Sequence, residues 1–411
     1  MNRVSEKKSA AKNDRCRSWP IRIAMLFSFG AMLTAIPLPH RVLLVVNTNW
    51  QDSITIANYY RMKRAIPETN ILYLGLNNSD ALANYYSAST FTRYTNELYH
   101  PVFNAITARG LTNTIDYIVL SSGIPVRVRL PSAANDISVA SHLATAAIYP
   151  VDEASPWHGG NLYANALISG GYAFSCTNTY TSYGKFRLAA HLAGYSVTDV
   201  KRGIDNAVAG DGTQAAAKTG RWILQIGPYS VLPQNEGTNL ASNWIKNAGI
   251  PASWYAGSYN YKANNVKDVV VLLHGGTYSG YNYGNYTTYL PDPMAAVGAY
   301  AEAHESFGCL PDHFFESRLQ QQFPEPIYFR LGYATFSGAV TEPFLGFLRA
   351  SAYTNYSESF RSAFMKGFTS LEAAYFTSWR EVRGPVTFVG DPLSRPFGRA
   401  AIVAVTSPLN G

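Results

Sequence analysis

The stretch that most constrains this chain is residues 268–276, Asp-Val-Val-Val-Leu-Leu-His-Gly-Gly, where an uncharged aliphatic run passes straight into a histidine and paired glycines. An unbroken β-branched and aliphatic run, as opposed to an alternating one, is what a parallel strand covered on both faces requires. The C-terminal ends of such strands are where open α/β sheets carry ligands. The run therefore predicts a buried strand with His274 at its ligand edge. Residues 41–46, Arg-Val-Leu-Leu-Val-Val, predict a first strand of the same kind. A helix opening at Asp52 or Ser53 and stopped by Pro67, then a strand at 70–74, would complete a βαβ unit with a right-handed crossover. Residues 90–109 read as a longer helix kinked at Pro101, and residues 115–120 as a third strand ending in Ser121-Ser122-Gly123. Since the first and third strands both end in small polar residues, Asn47, Asn49, Ser121 and Ser122 are expected along one rim, the ligand edge of a doubly wound sheet.

At 411 residues the chain is too long for one ordinary core. The patterning divides it into a first α/β unit at 40–130, a connecting segment or insertion at 131–219 and a second α/β unit at 220–397. Within the connecting segment, residues 137–147 read as a helix and 151–183 as an ordered insertion rich in Gly, Asn, Ser, Thr and Tyr. Residues 186–192 read as a strand, and 197–209 as an amphipathic helix capped at Thr198. The second unit opens with a strand at 221–226 and closes with one at 385–389, followed by Gly390-Asp391-Pro392-Leu393, where Asp391 is expected to close the turn.

Residues 1–22 are basic and polar, and residues 23–38 form a short apolar stretch, so residues 1–39 read as a secretory signal or, uncleaved, an N-terminal anchor. Export to the periplasm, cell surface or exterior is the expectation. Only 14% of residues are charged while 29 are tyrosine, which fits an exported surface built on Tyr, Asn, Ser and Thr. Of the formal charge of +7, the seven basic residues and two acids up to Arg22 account for five, leaving a nearly neutral body. No Lys/Arg stripe suggests a nucleic-acid partner. Contact with a membrane is expected only through an uncleaved leader, and nothing in the pattern sets an oligomeric state. Residues 398–411 read as the start of an immunoglobulin-like sandwich, with its first strand from Ala401. Cys176 and Cys309 either pair or remain buried thiols.

No phosphate loop, dinucleotide fingerprint, zinc spacing or Gly-x-Ser-x-Gly elbow occurs, so no cofactor or metal is implied. The five tyrosines of residues 277–289 offer apolar faces and hydroxyls suited to a peptide or glycan, with Tyr281 and Tyr283 at the centre, or else pack on themselves. Asp312 and His313 are adjacent and so face different ways. Asp312 is expected to cap a helix or reach a pocket beside His274. Glu342, before Pro343, is the remaining acid of interest.

The order Leu44-Val45-Val46-Asn47, Ser53, Ile56-Ala57-Asn58-Tyr59-Tyr60, Arg64-Ala65-Ile66-Pro67 and Asn70-Ile71-Leu72 resembles the opening of an uncharacterised family of exported bacterial proteins. Gly123-Ile124-Pro125, Gly308 to His313, Gly338 to Pro343 and Gly390-Asp391-Pro392-Leu393 with Pro396 resemble its later motifs. The resemblance spans residues 41–397 and brings no activity with it. The chain departs from that pattern at Ala140, at His191-Leu192-Ala193-Gly194 and at Gln225, where the family carries acidic residues. A strand ending in His274-Gly275, with Cys309 downstream, also resembles at a distance the caspase-like cysteine peptidases of the gingipain type. That resemblance implies an α/β fold of two mainly parallel three-layer units, flavodoxin-like or caspase-like, with an ordered insertion between them. It also implies a His274 and Cys309 dyad, in which a thiolate attacks a carbonyl and the imidazole carries the proton. Three functions are thus open: a degenerate caspase-like domain at the cell surface, an active extracellular cysteine peptidase-like hydrolase, and a glycan- or peptide-binding module.

Overall fold

A computed structural model of the chain describes residues 39–131, 136–152, 187–217, 220–226, 252–256, 267–275, 295–304, 307–318, 323–341, 364–377 and 383–398. The signal or anchor segment, the insertion beyond residue 152, the tyrosine-rich loop with Tyr281 and Tyr283, Glu342 and the immunoglobulin-like tail after Gly398 lie outside these residues.

Among the described residues the protein is mixed α/β, with helices flanking one ten-stranded sheet and a second sheet of three strands. The aliphatic run at the start folds as β1 (Val42–Asn47), with every residue buried. It pairs in parallel with β2 (Ile71–Leu74) on one side and β4 (Tyr117–Ser121) on the other, Val42 standing beside Tyr117 and Leu44 beside Ile71. The intervening helix runs Gln51–Arg64 and ends on Ala65 in the left-handed region, two residues before Pro67. Its expected cap differs. Trp50 occupies the capping position, and Ser53 instead accepts the amide N–H of Asn47 at 2.9 Å. Pro101 distorts its helix as expected, and the physical form is a π turn over Thr95–Tyr99. Proline has no N–H to give to the carbonyl one turn back and its ring crowds that carbonyl, so the turn before it widens and His100 N–H reaches back to Thr95 O. The amphipathic helix runs Val197–Gly210, capped by Ser196, whose side chain accepts the N–H of Asp199, and not by Thr198.

The sheet order is β2-β1-β4-β7-β13-β12-β11-β10-β8-β9. Here β7 is Leu188–Leu192, β8 Arg221–Ile226, β9 Ala252–Ala256, β10 Val269–Gly275, β11 Ala295–His304, β12 Thr335–Ala339 and β13 Val386–Gly390. Two mainly parallel halves are present, β2 to β13 and β12 to β9, but they form one sheet and not two separate ones. They meet where β12 and β13 pair antiparallel, Thr335 beside Gly390 and Ala339 beside Val386. Membership in a half does not follow sequence order. The last strand, β13, returns to pair in parallel with β7 through Val389 and His191, so residues from both ends of the chain complete the first half.

The antiparallel joint has a direct consequence for function. The halves run in opposite directions, so their C-terminal strand ends lie on opposite edges of the sheet. Asn47, Ser121 and Asp391 mark one edge, whereas His274 and Ala339 mark the other. Beside the second edge stands the small sheet, β3 (Tyr85–Tyr86), β5 (Arg127–Arg129) and β6 (Asp136–Ser138), tied to it by Ser138 N–H donating to Gly384 O.

Candidate functional site

At the first edge the polar residues expected to meet a ligand meet one another. Asn47 is fully buried. Its amide nitrogen donates to Gly123 O at 2.8 Å, and its side-chain oxygen accepts the N–H groups of Asn49 at 3.0 Å and Leu76 at 3.2 Å. Ser121 donates to Ser53 O, and the exposed Asn49 donates to Leu76 O. Ser122 is half-buried beside them. Trp50 closes the rim over Gly123, whose φ of +76° and a contact of 2.3 Å between a built Cβ and the indole leave room for glycine alone. This edge is a staple between loops. Replacing Asn47 by Ala strands the buried N–H of Leu76, the more open N–H of Asn49 and the carbonyl of Gly123, and we expect it to lower unfolding free energy by about 1–3 kcal/mol, read from the urea midpoint.

At the second edge, the segment after β11 carries Cys309, Asp312 and His313. Cys309 N–H donates to Ala339 O at 2.9 Å, which fixes the cysteine to the end of β12. Its thiol is fully buried and donates to Glu325 Oε2 at 2.9 Å. That carboxylate lies against the backbones of Gly308 and Gly338, where an added Cβ would fall 2.4 Å and 1.4 Å from its oxygens. Burial first, and the adjacent carboxylate second, push the Cys309 thiol well above the usual thiol range. A nucleophilic cysteine needs the opposite setting, electropositive and accessible, because the thiolate is the reactive form. Cys309 is a free thiol.

His274 is in register with Ala303 of β11 and Gln225 of β8. Its side chain lies outside the described residues. Strand β11 separates its backbone from β12, to which Cys309 is fixed, a spacing of about 10 Å for two strand intervals.

Pro311–Phe314 forms a short 3₁₀ turn that parts Asp312 from His313. His313 turns inward, fully buried, and its Nδ1 lies 3.1 Å from Gly308 O. A carbonyl can only accept, so Nδ1 carries the proton and Nε2 is left as a bare acceptor without a partner among the described residues. Burial lowers its pKa. Asp312 is half-buried and faces a cleft of about 470 Å³ lined by Ala83, Tyr85, Arg127, Phe307, Leu310, Pro311 and Asp312.

The walls of this cleft are tied together. Asn84, in the left-handed region, donates to Pro311 O at 3.2 Å and accepts the N–H of Val126 at 3.0 Å. Arg318 donates to Leu82 O at 2.6 Å. Arg127 stacks on the Tyr85 ring, guanidinium carbon to centroid 4.2 Å. Asp136 receives Arg129 Nε at 2.5 Å and the Tyr85 hydroxyl at 3.1 Å, and stands 3.4 Å from Arg127 Nε. Tyr85, Arg127 and Asn84 were not among the residues the sequence singled out. Arg127-Val128-Arg129 was the available signal, because like charges two apart on a strand share a face and need a carboxylate opposite, here Asp136.

Among the described residues no three of His, Cys, Asp and Glu gather closely enough to hold a metal ion, and no helix is long and apolar enough to cross a membrane. No protein-family model and no curated protein matches this chain. Among solved structures, one described as "Structure of Protease" aligns over 88% of this chain and 79% of its own at 12% identity, with a TM-score of 0.42. Similarity at that level carries no argument about activity.

Proposed function

We propose that this chain is an exported, caspase-like α/β domain that binds a ligand outside the cell and does not cut it, with its seat in the cleft between Tyr85-Arg127 and the 307–312 segment. The observation that carries the reading is the state of Cys309, a thiol sealed in the core and held protonated by burial and by Glu325. The cleft opens at the C-terminal edge of the second half, where α/β sheets place ligands, and its size falls within the range of small-ligand sites. Export rests on the basic and apolar leader and the low charge; the high tyrosine content adds no support, because most of the described tyrosines are buried in the core. The hydrolase reading keeps a clear test. Full-length protein incubated with a pool of fluorogenic peptides should show no turnover above that of Cys309→Ala. Turnover lost on that substitution would replace the binding reading with the hydrolase one.

A further inference from the structure

Resting on that reading, we propose that the cleft recognises the α-carboxylate of an apolar residue together with the N–H on the same carbon, the chemistry shared by a peptide C-terminus and a free apolar amino acid. Arg127 is the anchor. One face of its guanidinium is fixed by Tyr85, which holds the planar fork in a set orientation without using its donors. Those donors are poorly matched within the protein. Nη1 reaches Val340 O only at 3.4 Å, and Nε, sealed from solvent 3.4 Å from Asp136, makes no hydrogen bond among the described residues, which leaves the Nη nitrogens as the donors a ligand would meet. Among the described residues two carboxylates act on it: Asp136, which Arg129 and Tyr85 hold at shorter range than Arg127 does, and Asp312 across the cleft; burial still outweighs both and lowers the Arg127 pKa. A ligand carboxylate would give this fork the charged, planar partner it fits best.

The remaining walls define the rest of the ligand. Phe307, Leu310 and Pro311 offer hydrocarbon, and Ala83 continues it to the rim beside Leu82, which is 50% exposed. That hydrocarbon gives an aliphatic or aromatic side chain a place to rest between the polar groups of Arg127, Tyr85 and Asp312. Asp312 lines the same cleft and supplies an acceptor for the ligand N–H. The volume of about 470 Å³ accommodates one or two residues.

Titration calorimetry of the full chain tests the assignment with three probes: acetyl-Ala-Ala-Leu with a free carboxylate, its C-terminal amide, and free leucine. We expect the free acid to bind about 10- to 100-fold more tightly than the amide. Arg127→Gln should lower free-acid affinity to that of the amide, Arg127→Lys should restore part of it, and Leu310→Asn should weaken the free acid without changing the thermal midpoint. Leucine binding as tightly as the peptide assigns a free amino acid as ligand; binding of the peptide alone assigns a peptide end. A photoreactive benzophenone on each peptide separates the two possible failures. Equal cross-linking of acid and amide to residues 307–312 would overturn the carboxylate assignment and leave the cleft as the seat. Absence of binding and of cross-linking by all probes would overturn the seat itself.

Discussion

Acidification from pH 6.5 to 5 should destabilise the protein by a large fraction of its folding free energy, because three imidazoles are locked neutral in the core. His142 accepts the Tyr94 hydroxyl at 2.5 Å on Nδ1 and donates from Nε2 to Val151 O at 2.9 Å; burial and the nearby Arg383 hold its pKa well below the ordinary value. His191 lies in the middle of the sheet, fully buried, with neither ring nitrogen partnered among the described residues, and burial pulls its pKa down to about 3. His313 is lowered for the same reason. Each native pKa lies below the unfolded one, so unfolding takes up protons in the interval between them. The stability these histidines contribute is complete above about pH 6.5 and is lost as the pH falls through the unfolded value towards the folded ones. One such group gives a slope of about 1.4 kcal/mol per pH unit, so His142 and His191 together approach about 3, with His313 adding in the same direction, against a total stability of about 5–15 kcal/mol. Urea midpoints at several pH values measure this slope. His191→Leu should remove about a third to a half of it and raise stability at pH 7.5, since a buried polar group unpaired among the described residues gives way to an apolar one of similar size. A flat profile between pH 6.5 and 5, or an unchanged slope in His191→Leu, would contradict the account.

The second large effect lies at Asp391, which follows β13. Its carboxylate is fully buried and accepts Tyr60 Oη at 2.8 Å, Arg64 Nε at 2.5 Å and the N–H of Leu393 at 2.9 Å, so one acid joins the Gln51–Arg64 helix to the turn after the last strand. Arg64 extends the network to Asp211, which also accepts Arg395 N–H. Asp391→Ala leaves a nearly buried guanidinium short of one of its two counterions and a tyrosine hydroxyl without its acceptor. The expected loss is about 3–5 kcal/mol. Asp391→Asn, which keeps the oxygen that accepts from Tyr60 and Leu393, should lose less. The pair Arg64→Met with Asp391→Leu should recover only part of the stability, because it removes two charges but leaves Asp211 without its guanidinium and the Tyr60 hydroxyl without its acceptor. A single Asp391→Ala variant as stable as the parent by urea titration would show that the network is idle.

How far the sequence revealed this molecule depended on the residues concerned. Residues 42–46 and 269–273 were legible as buried parallel strands because uninterrupted aliphatic runs have few other stable uses. The Asp391 turn was legible because Gly-Asp-Pro has its own local chemistry, and the Leu393 N–H bond to its carboxylate follows from it. Strands β11 and β12 were not legible. Ala-Ala-Val-Gly-Ala-Tyr-Ala-Glu-Ala-His and Thr-Phe-Ser-Gly-Ala are built from small residues with weak strand preference, and what makes them strands is the sheet on either side. Gly298 in β11, at φ +81°, belongs to the same set: it exists to let the Val197–Gly210 helix come within backbone contact through Gly210. The antiparallel joint between β12 and β13 was hidden for the same reason, and with it the separation of the polar rim at Asn47 from the edge at His274. The cleft was half legible. Asp312 was named, but Arg127 gains its meaning only from Tyr85 beneath it and from Val340 and Asp136 alongside, contacts made across distant parts of the chain.

The claim that this edge binds and does not cut is tested most directly by the reactivity of Cys309. In protein carrying Cys16→Ser and Cys176→Ser, so that one thiol remains, the rate of alkylation by iodoacetamide at pH 7.5 is measured in buffer and in concentrated urea. A thiol reached only by unfolding should react at least ~10³-fold more slowly in the native protein than in urea. A native rate equal to or above the urea rate would mean an accessible, activated thiolate, and would return this site to the cysteine hydrolases.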